Sequence, residues 1–181
     1  MKKNGFTLIE ILAVIIIMGI VGIIGISAVS NNISDSREAS FVNLARNFAE
    51  SARSMRGQDK LPHDPKNGEV LLLKLEALNG VDEIKDYDTP YGELILDYCY
   101  VMIVNNNNNF KYYITLLDDS DHAIYYEEYS TLSNDSVLSS SNANVKKILS
   151  FNSLTRNTVL TIDGTKYKVS NVYEKYLVLK K

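Results

Sequence analysis

The chain has 181 residues, with 19 Lys+Arg against 22 Asp+Glu and a formal net charge of -3. This length fits one domain with one core, and the charge balance argues against a strongly cationic nucleic-acid binder as a description of the whole chain. Cys99 is the single cysteine, which excludes an intrachain disulfide, and one cysteine with two histidines argues against a structural zinc site. We therefore expect neither a metal nor another cofactor.

Charge is distributed unevenly along the chain. Residues 57–144 carry 5 basic and 16 acidic side chains, a net charge of -11, whereas residues 145–181 carry 8 basic and 2 acidic side chains, a net charge of +6. A basic end of this kind predicts contact either with nucleic acid or with the acidic part of another copy, and we favour the second interpretation.

The first apolar segment is long enough to cross a membrane. Residues 11–34 contain no charged side chain over 24 positions, and about 20 helical residues span a hydrocarbon core of about 30 Å. Lys2 and Lys3 precede this run, and the positive-inside rule would keep them in the cytoplasm. The sequence therefore predicts a single-pass helix with the bulk of the chain outside the cytoplasm.

Glu10 lies at the head of this apolar segment. An ionisable group at membrane depth is costly, and such a group is usually functional and paired. The nearby sequence offers no evident partner, so we expect the partner to come from another molecule.

These residues resemble a known family. Gly5-Phe6-Thr7-Leu8-Ile9-Glu10, followed by a long apolar helix, is similar to the N-terminus of type IV prepilins. The resemblance implies that residues 1–5 are a leader, that a prepilin peptidase cuts between Gly5 and Phe6, and that the new Phe6 amine is N-methylated. It also implies that Glu10 pairs with the Phe6 amine of a neighbouring subunit during assembly.

One feature departs from the family pattern, in which a proline often lies near the end of the membrane segment. No proline precedes Pro62, and Gly19, Gly22 and Gly25 recur at every third position before Ser27. These glycines either let the helix loosen between Gly19 and Ser27 in a fibre, since each costs about 1 kcal/mol of helix propensity, or allow close helix packing. Both interpretations stay open.

A secretory signal peptide cleaved near Ala28-Val29-Ser30 is the alternative for this segment. We do not favour it, because the apolar run is long for a signal peptide and begins with a glutamate.

An amphipathic helix is predicted to follow and to continue the first one over residues 6–56. Apolar side chains recur there at spacings of three and four, and Gly57 and Pro62 are expected to end the helix. The apolar positions are Phe41, Leu44, Ala45, Phe48, Ala52 and Met55.

The next segments predict a short helix and then an antiparallel meander. Residues 69–79 read as a helix closed by Gly80, and residues 93–104, 110–117 and 123–129 read as strands. Six tyrosines on these strands are expected to pair across both faces, some against the helix and some facing solvent, where they could bind partners. They are Tyr98, Tyr100, Tyr112, Tyr113, Tyr125 and Tyr126.

The last third of the chain predicts a loop and further strands. Residues 131–144 are rich in Ser and Asn and are expected to form an exposed loop. Residues 158–170 predict a hairpin with Asp163-Gly164 at a two-residue turn, and residues 171–181 could add another strand.

Two acidic stretches invite a calcium hypothesis. Their spacing matches no ion-binding consensus, so solvated loops are the favoured interpretation. The residues are Asp82, Glu83, Asp86 and Asp88 in the first stretch, and Asp118, Asp119 and Asp121 in the second.

We therefore predict an α+β fold, a long N-terminal helix packed on an antiparallel β-sheet head. Residues 1–5 are the leader, residues 6–30 the membrane and assembly helix, and residues 31–181 the extracytoplasmic head. No catalytic group is expected, because His63 and His122 lie in predicted loops and Cys99 lies in a strand as a buried thiol.

The function predicted from the resemblance is that of a structural subunit of a type IV pilus or pilin-like fibre. Its partners would be other pilin subunits, a prepilin peptidase and an assembly platform, with the cytoplasmic membrane before assembly and the cell surface afterwards. The alternatives are a minor, tip or competence-type pilin that binds DNA or a surface, and a type II secretion pseudopilin.

Overall fold

The computed structural model describes residues 7–78 and 87–181, and the side chains of these ranges except for 23–28. The chain divides into two compact units, Met1–Arg37 and Glu38–Lys181. One α-helix, α1 (Leu8–Gly57), supplies all the described secondary structure of the first unit and the opening element of the second. Gly80, which was expected to close a helix over residues 69–79, lies outside the described residues.

The second half of α1 is amphipathic, as predicted. Phe41, Ala45, Phe48 and Ala52 are fully buried in the core of the second unit, and Met55 is 4% exposed. These positions recur every three or four residues and so fall on one helix face. Leu44, at the margin of the same face, is partly buried against that core.

Helix α1 ends at Gly57, and the left-handed residue of its C-terminal cap is Asp59. Lys60 N–H donates to the Met55 carbonyl at 2.9 Å, Asp59 N–H donates to Arg56 O at 3.1 Å, and Asp59 has a φ of 52°. This pair of bonds around a left-handed residue is a Schellman ending. Gly57 itself stays helical.

Seven antiparallel strands form one sheet in the order β4-β3-β2-β1-β7-β6-β5. The strands are β1 (Glu69–Lys74), β2 (Tyr100–Asn106), β3 (Asn109–Leu117), β4 (Ala123–Glu128), β5 (Val159–Ile162), β6 (Thr165–Val172) and β7 (Tyr176–Lys180). The α+β prediction is confirmed.

The helix predicted over residues 69–79 is wrong. Residues Glu69–Lys74 form the central strand β1, and a single 3-10 turn follows at Leu75–Leu78. β1 pairs with β2 on one side and β7 on the other, and it is buried on both faces. A strand buried on both faces is continuously apolar and lacks the alternation that identifies strands in a sequence.

The meander is confirmed, with shifted bounds. The first predicted strand, residues 93–104, begins instead with a bridge at Leu94 and a 3-10 turn at Leu96–Tyr98 before β2 starts at Tyr100. Residues 131–144 are a loop that starts at the end of one 3-10 turn, Tyr129–Thr131, and contains a second, Asn134–Ser136, and a bridge from Leu138 to Ala123. The loop is not exposed throughout, because Leu132 is buried.

Two tight hairpins have residues of positive φ at both turn positions. Asn107 and Asn108 have φ of 53° and 63° between β2 and β3, and Asp163 and Gly164 have φ of 49° and 70° between β5 and β6. Two successive left-handed residues are typical of the type I′ turn, which matches the twist of paired strands.

The centre of the sheet, from β1 to β3, is covered on both faces, whereas β5 and β6 keep one face exposed. One face packs on α1. On the other face, side chains of β1 to β3 form a second core with side chains of β5, β6 and β7 and with Phe151 and Leu154, which precede β5 in the chain. The expectation that tyrosines lie on both faces is confirmed, but none of the six is fully exposed. Tyr112 lies in the helix-side core, Tyr100 and Tyr113 lie in the opposite core, and Tyr98, Tyr125 and Tyr126 are half-buried.

Candidate processing and assembly site

Glu10 lies in the first turn of α1, three residues after Thr7. The Thr7 backbone N–H and the Thr7 hydroxyl both donate to Glu10 Oε2 at 2.8 Å. In return, Glu10 N–H approaches Thr7 Oγ1 at 3.4 Å. Since the helix begins at Leu8, Thr7 is its N-cap and Glu10 its third residue, which makes this reciprocal pair a capping box.

Thr7 is the hydrogen-bond partner of Glu10 that the sequence analysis missed. We expected the nearby sequence to offer Glu10 no partner, but Thr7 supplies two hydrogen-bond donors, and the N-terminal end of the helix dipole also favours a carboxylate. The signal was present, because a threonine three residues before a glutamate and ahead of an apolar run is the capping-box pattern.

The capping box leaves one carboxylate oxygen for another group. Both hydrogen bonds of the Glu10 side chain that the structure gives involve Oε2 and none involves Oε1, as far as the described residues show. Gly5 and Phe6 lie outside the described residues. Their predicted cleavage and methylation, and the pairing of Glu10 with a Phe6 amine, stay predictions.

The helical surface beyond Glu10 is apolar and uncovered within its own unit. Ile15 is 64% exposed and Met18 is 71% exposed, and most large apolar side chains between Leu8 and Val21 are more than half exposed. At Gly19 and Gly22 an added Cβ would meet no atom within 4 Å. These two glycines are therefore not required by packing inside this unit, and a surface of this kind is available to other molecules.

The sequence predicted a bilayer-length helix in this part of the chain. Over residues 7–78 and 87–181, no helix is identified as long and apolar enough to span a membrane.

Cys99 is buried, as the sequence predicted, but it lies between the 3-10 turn Leu96–Tyr98 and β2 and not within a strand. Its thiol donates to the Leu117 carbonyl at 3.4 Å and accepts from Leu117 N–H at 3.3 Å. Burial raises the pKa of the thiol to about 12. A thiol that stays protonated at neutral pH is a poor nucleophile.

The two histidines make structural contacts. His63 Nε2 lies 2.9 Å from Glu69 Oε2, at the start of β1. The His122 ring stacks on Tyr91 with the centroids 3.7 Å apart, and its Nδ1 is 3.8 Å from Asp118 Oδ1. Among the hydrogen bonds of the described residues, none joins either histidine to Cys99.

The second acidic stretch forms a turn around Asp118, which is fully buried. Asp118 accepts hydrogen bonds from the Thr89 hydroxyl and from the N–H groups of Ser120 and His122 at 2.8 to 3.1 Å. Asp82, Glu83 and Asp86 of the first stretch lie outside the described residues. Within the part that is described, no group of three His, Cys, Asp or Glu side chains is placed to hold a metal ion.

Comparison with known proteins identifies the N-terminal segment. Residues 1–26 match the family model of the prokaryotic N-terminal methylation motif, the type IV pilin-like prepilin signal. Comparison with curated proteins and with solved structures gives no match. The motif supports a type IV pilin-like or pseudopilin protein, points to a structural protein, and implies peptidase processing and assembly with other pilin subunits.

Proposed function

We propose that this chain is a structural subunit of a type IV pilus or pilin-like extracellular fibre. A prepilin peptidase would remove residues 1–5, the Phe6 amine would be methylated, and the subunit would assemble through the first half of α1. The observation that carries this proposal is the methylation motif over residues 1–26. The capping-box geometry of Glu10 supports it.

The chemistry of assembly follows from the position of Glu10. An α-amine has an ordinary pKa of about 7.7 to 8.0 and is therefore largely cationic at neutral pH. The Phe6 amine of a neighbouring subunit would bind Glu10 Oε1 while Thr7 continues to hold Oε2. Two apolar helices slide easily past each other, so one buried ion pair would fix their axial register.

The exposed apolar surface of α1 supports a location in the membrane before assembly and in the fibre afterwards. Before assembly the helix would be anchored in the cytoplasmic membrane, where its apolar side chains are solvated by lipid. In the fibre, the corresponding helices of other subunits would cover the same side chains, and Gly19 and Gly22 would allow close approach. The fibre would then lie on the cell surface, where adhesion or twitching motility are the roles that such fibres could serve.

The first experiment measures the mature N-terminus. We expect mass spectrometry of the protein from cells with an active prepilin peptidase to find methylated Phe6 as the first residue, and deletion of the peptidase to retain residues 1–5. A mature chain that starts after Ala28 would instead indicate a signal peptide. A chain that still starts at Met1 in peptidase-positive cells would contradict the proposal.

The second experiment tests Glu10. Breaking a buried ion pair costs about 3 to 5 kcal/mol, so Glu10→Ala should nearly abolish incorporation into fibres while the melting of the head stays unchanged. Glu174, which is exposed in the β6–β7 turn, provides the control variant Glu174→Ala. Wild-type levels of Glu10→Ala in fibres would exclude the assembly role.

The basic end of the chain is the observation behind a second candidate, a minor, tip or competence-type pilin that binds DNA. Antibody labelling of purified fibres separates the two functions. Labelling along the whole length supports a major subunit, and labelling at the ends supports a minor one. A secretion pseudopilin would give short fibres only.

A further inference from the structure

Four cations line one groove of about 320 Å³ beside the paired strands β6 and β7, where β7 ends. Lys168 and Lys180 are directly opposite each other in the β6–β7 register, although like charges at such positions destabilise a sheet. Of the four cations, only Lys180 has a carboxylate partner among the described residues, Glu69 Oε1 at 3.2 Å. We call this set, Arg156, Lys168, Lys180 and Lys181, the basic corner.

Three exposed carboxylates form a second cluster, which we call the acidic corner. Asp119 N–H donates to the Glu93 carbonyl at 2.9 Å, and Glu93 N–H donates to Asp119 Oδ1 at 3.1 Å. Asp121 lies in the same β3–β4 turn, and all three side chains are exposed. The sequence places no Lys or Arg in residues 112–145.

The two corners lie at opposite ends of the strands. β7 ends at Lys180, which pairs with Glu69, the first residue of β1. β3 ends at Leu117, just before the acidic corner, on the side of the sheet where β1 ends at Lys74. With about 3.3 Å per residue, the six residues of β1 separate the two ends by roughly 20 Å, so the corners cannot neutralise each other within one copy.

We propose that the basic corner of one copy binds the acidic corner of the next copy in the fibre. This inference rests on the proposed fibre function and identifies the contact between its heads. The two surfaces of such a contact differ, so each copy keeps one corner free for the next neighbour. A heterologous contact of this kind propagates into a filament when it does not close into a ring.

The observations favour a second copy over a polyanion as the partner. The basic corner holds four cations and Glu69 already pairs with one of them, so it offers a phosphate backbone few contacts. The acidic part of the chain, with a net charge of -11 over residues 57–144, would also repel a long polyanion. The acidic corner of another copy carries three carboxylates, which match the three cations of the basic corner that Glu69 does not pair.

Zero-length cross-linking of native fibres tests this contact in the full chain. A carbodiimide joins a lysine amine to a touching carboxylate, so treatment should link Lys168 or Lys181 to Glu93, Asp119 or Asp121. Fibres assembled from mixed light and heavy isotope-labelled subunits should give mixed-isotope links. We expect the yield to fall several-fold in 1 M salt, where charges are screened beyond about 3 Å. Links that avoid both corners would overturn the proposal.

Charge reversal adds a functional readout. We expect Lys168→Glu and Asp121→Lys each to reduce fibre yield at least fivefold, and the double variant in one chain to restore most of it, since the reversed charges again face each other. Lys146→Glu is the control, because Lys146 is basic and exposed but lies outside the groove.

The outcomes separate this inference from the proposed function. Absence of fibres from the wild-type chain, with its peptidase and assembly proteins present, would contradict the proposed function. Normal fibres from both single reversals would overturn only the corner contact. Loss of DNA binding in Lys168→Glu with fibre yield unchanged would assign the basic corner to a polyanion and would likewise overturn it.

Discussion

Thr7 holds Glu10 through two donors that converge on one carboxylate oxygen, each at 2.8 Å. The helix N-terminus therefore holds the glutamate in place within a single copy. A side chain that is already ordered loses less conformational entropy when it binds, so the capping box would preorganise Glu10 for the amine in the proposed assembly step. Thr7 is thus a positioning residue for the proposed assembly step.

Replacing Thr7 should loosen the first turn of α1. Thr7→Ala removes the hydroxyl and should destabilise the turn by about 0.5 to 2 kcal/mol, the usual cost of losing an N-cap. Amide hydrogen exchange of residues 8–11 in detergent measures this directly. We expect faster exchange and lower incorporation into fibres.

Thr7→Ser is the matched control for this variant, because it keeps the hydroxyl and should behave like the wild type. Equal exchange rates in the Ala and Ser variants would show that the cap does not order Glu10.

Some of the architecture could be predicted because a local pattern decided it. The apolar residues Phe41, Phe48 and Ala52 recur at helical spacing and so predicted the second half of α1. Asp163-Gly164 predicted its hairpin, because few residue pairs suit two left-handed positions. The N-terminal motif was identified from six consecutive residues, so its recognition did not depend on the head.

The errors arose where distant segments decided the outcome. Leu71 and Leu73 face one core while Leu72 faces the other, so β1 lacks alternation and resembles a helix. The core on the other face of β1 includes Phe151, which follows β1 by more than 70 residues in the sequence. No local pattern indicated that this core would bury Tyr100 and Tyr113. Thr7 was missed for a different reason, because its capping pattern is local and was overlooked.

Glu69 should make stability depend on pH in the acid range. Burial opposes ionisation of this carboxyl, but hydrogen bonds from His63 and from the Lys66 N–H, together with Lys180, lower its pKa to about 2 from 4.5. Between these values the unfolded chain binds more protons than the folded chain. The contribution of Glu69 is therefore complete above about pH 4.5 and is lost as the pH falls towards 2.

Thermal melts of Glu69→Gln test this dependence. The variant should melt below the wild type at pH 7, where it lacks the charge-assisted hydrogen bonds, each worth about 1.5 to 3 kcal/mol. The difference should shrink as the pH falls below 4.5. Glu174→Gln, which changes an exposed glutamate, should follow the wild type throughout. A gap between Glu69→Gln and wild type that does not change with pH would contradict the assignment.

Cys99 should resist thiol reagents in the folded protein. The side chain is fully buried and the pKa of its thiol is raised to about 12, so both access and thiolate fraction are low. At pH 8, a maleimide should label Cys99 only after denaturation, whereas an exposed cysteine introduced in Cys99→Ala/Ser140→Cys should react within minutes. Rapid labelling of native Cys99 would show that the strand end near Leu117 opens readily.

Two glycines with equal space but different backbone conformations give a last, paired prediction. At both Gly164 and Gly57 an added Cβ would meet no atom within 4 Å, but Gly164 has a φ of 70° whereas Gly57 lies in the last turn of α1. Gly164→Ala should destabilise the protein by about 1 to 2 kcal/mol, since left-handed backbone is costly for an L-residue. Gly57→Ala should be neutral or stabilising by up to about 1 kcal/mol, because alanine favours helix. Denaturant unfolding measures both, and equal midpoints for the two variants would contradict the type I′ turn at Asp163-Gly164.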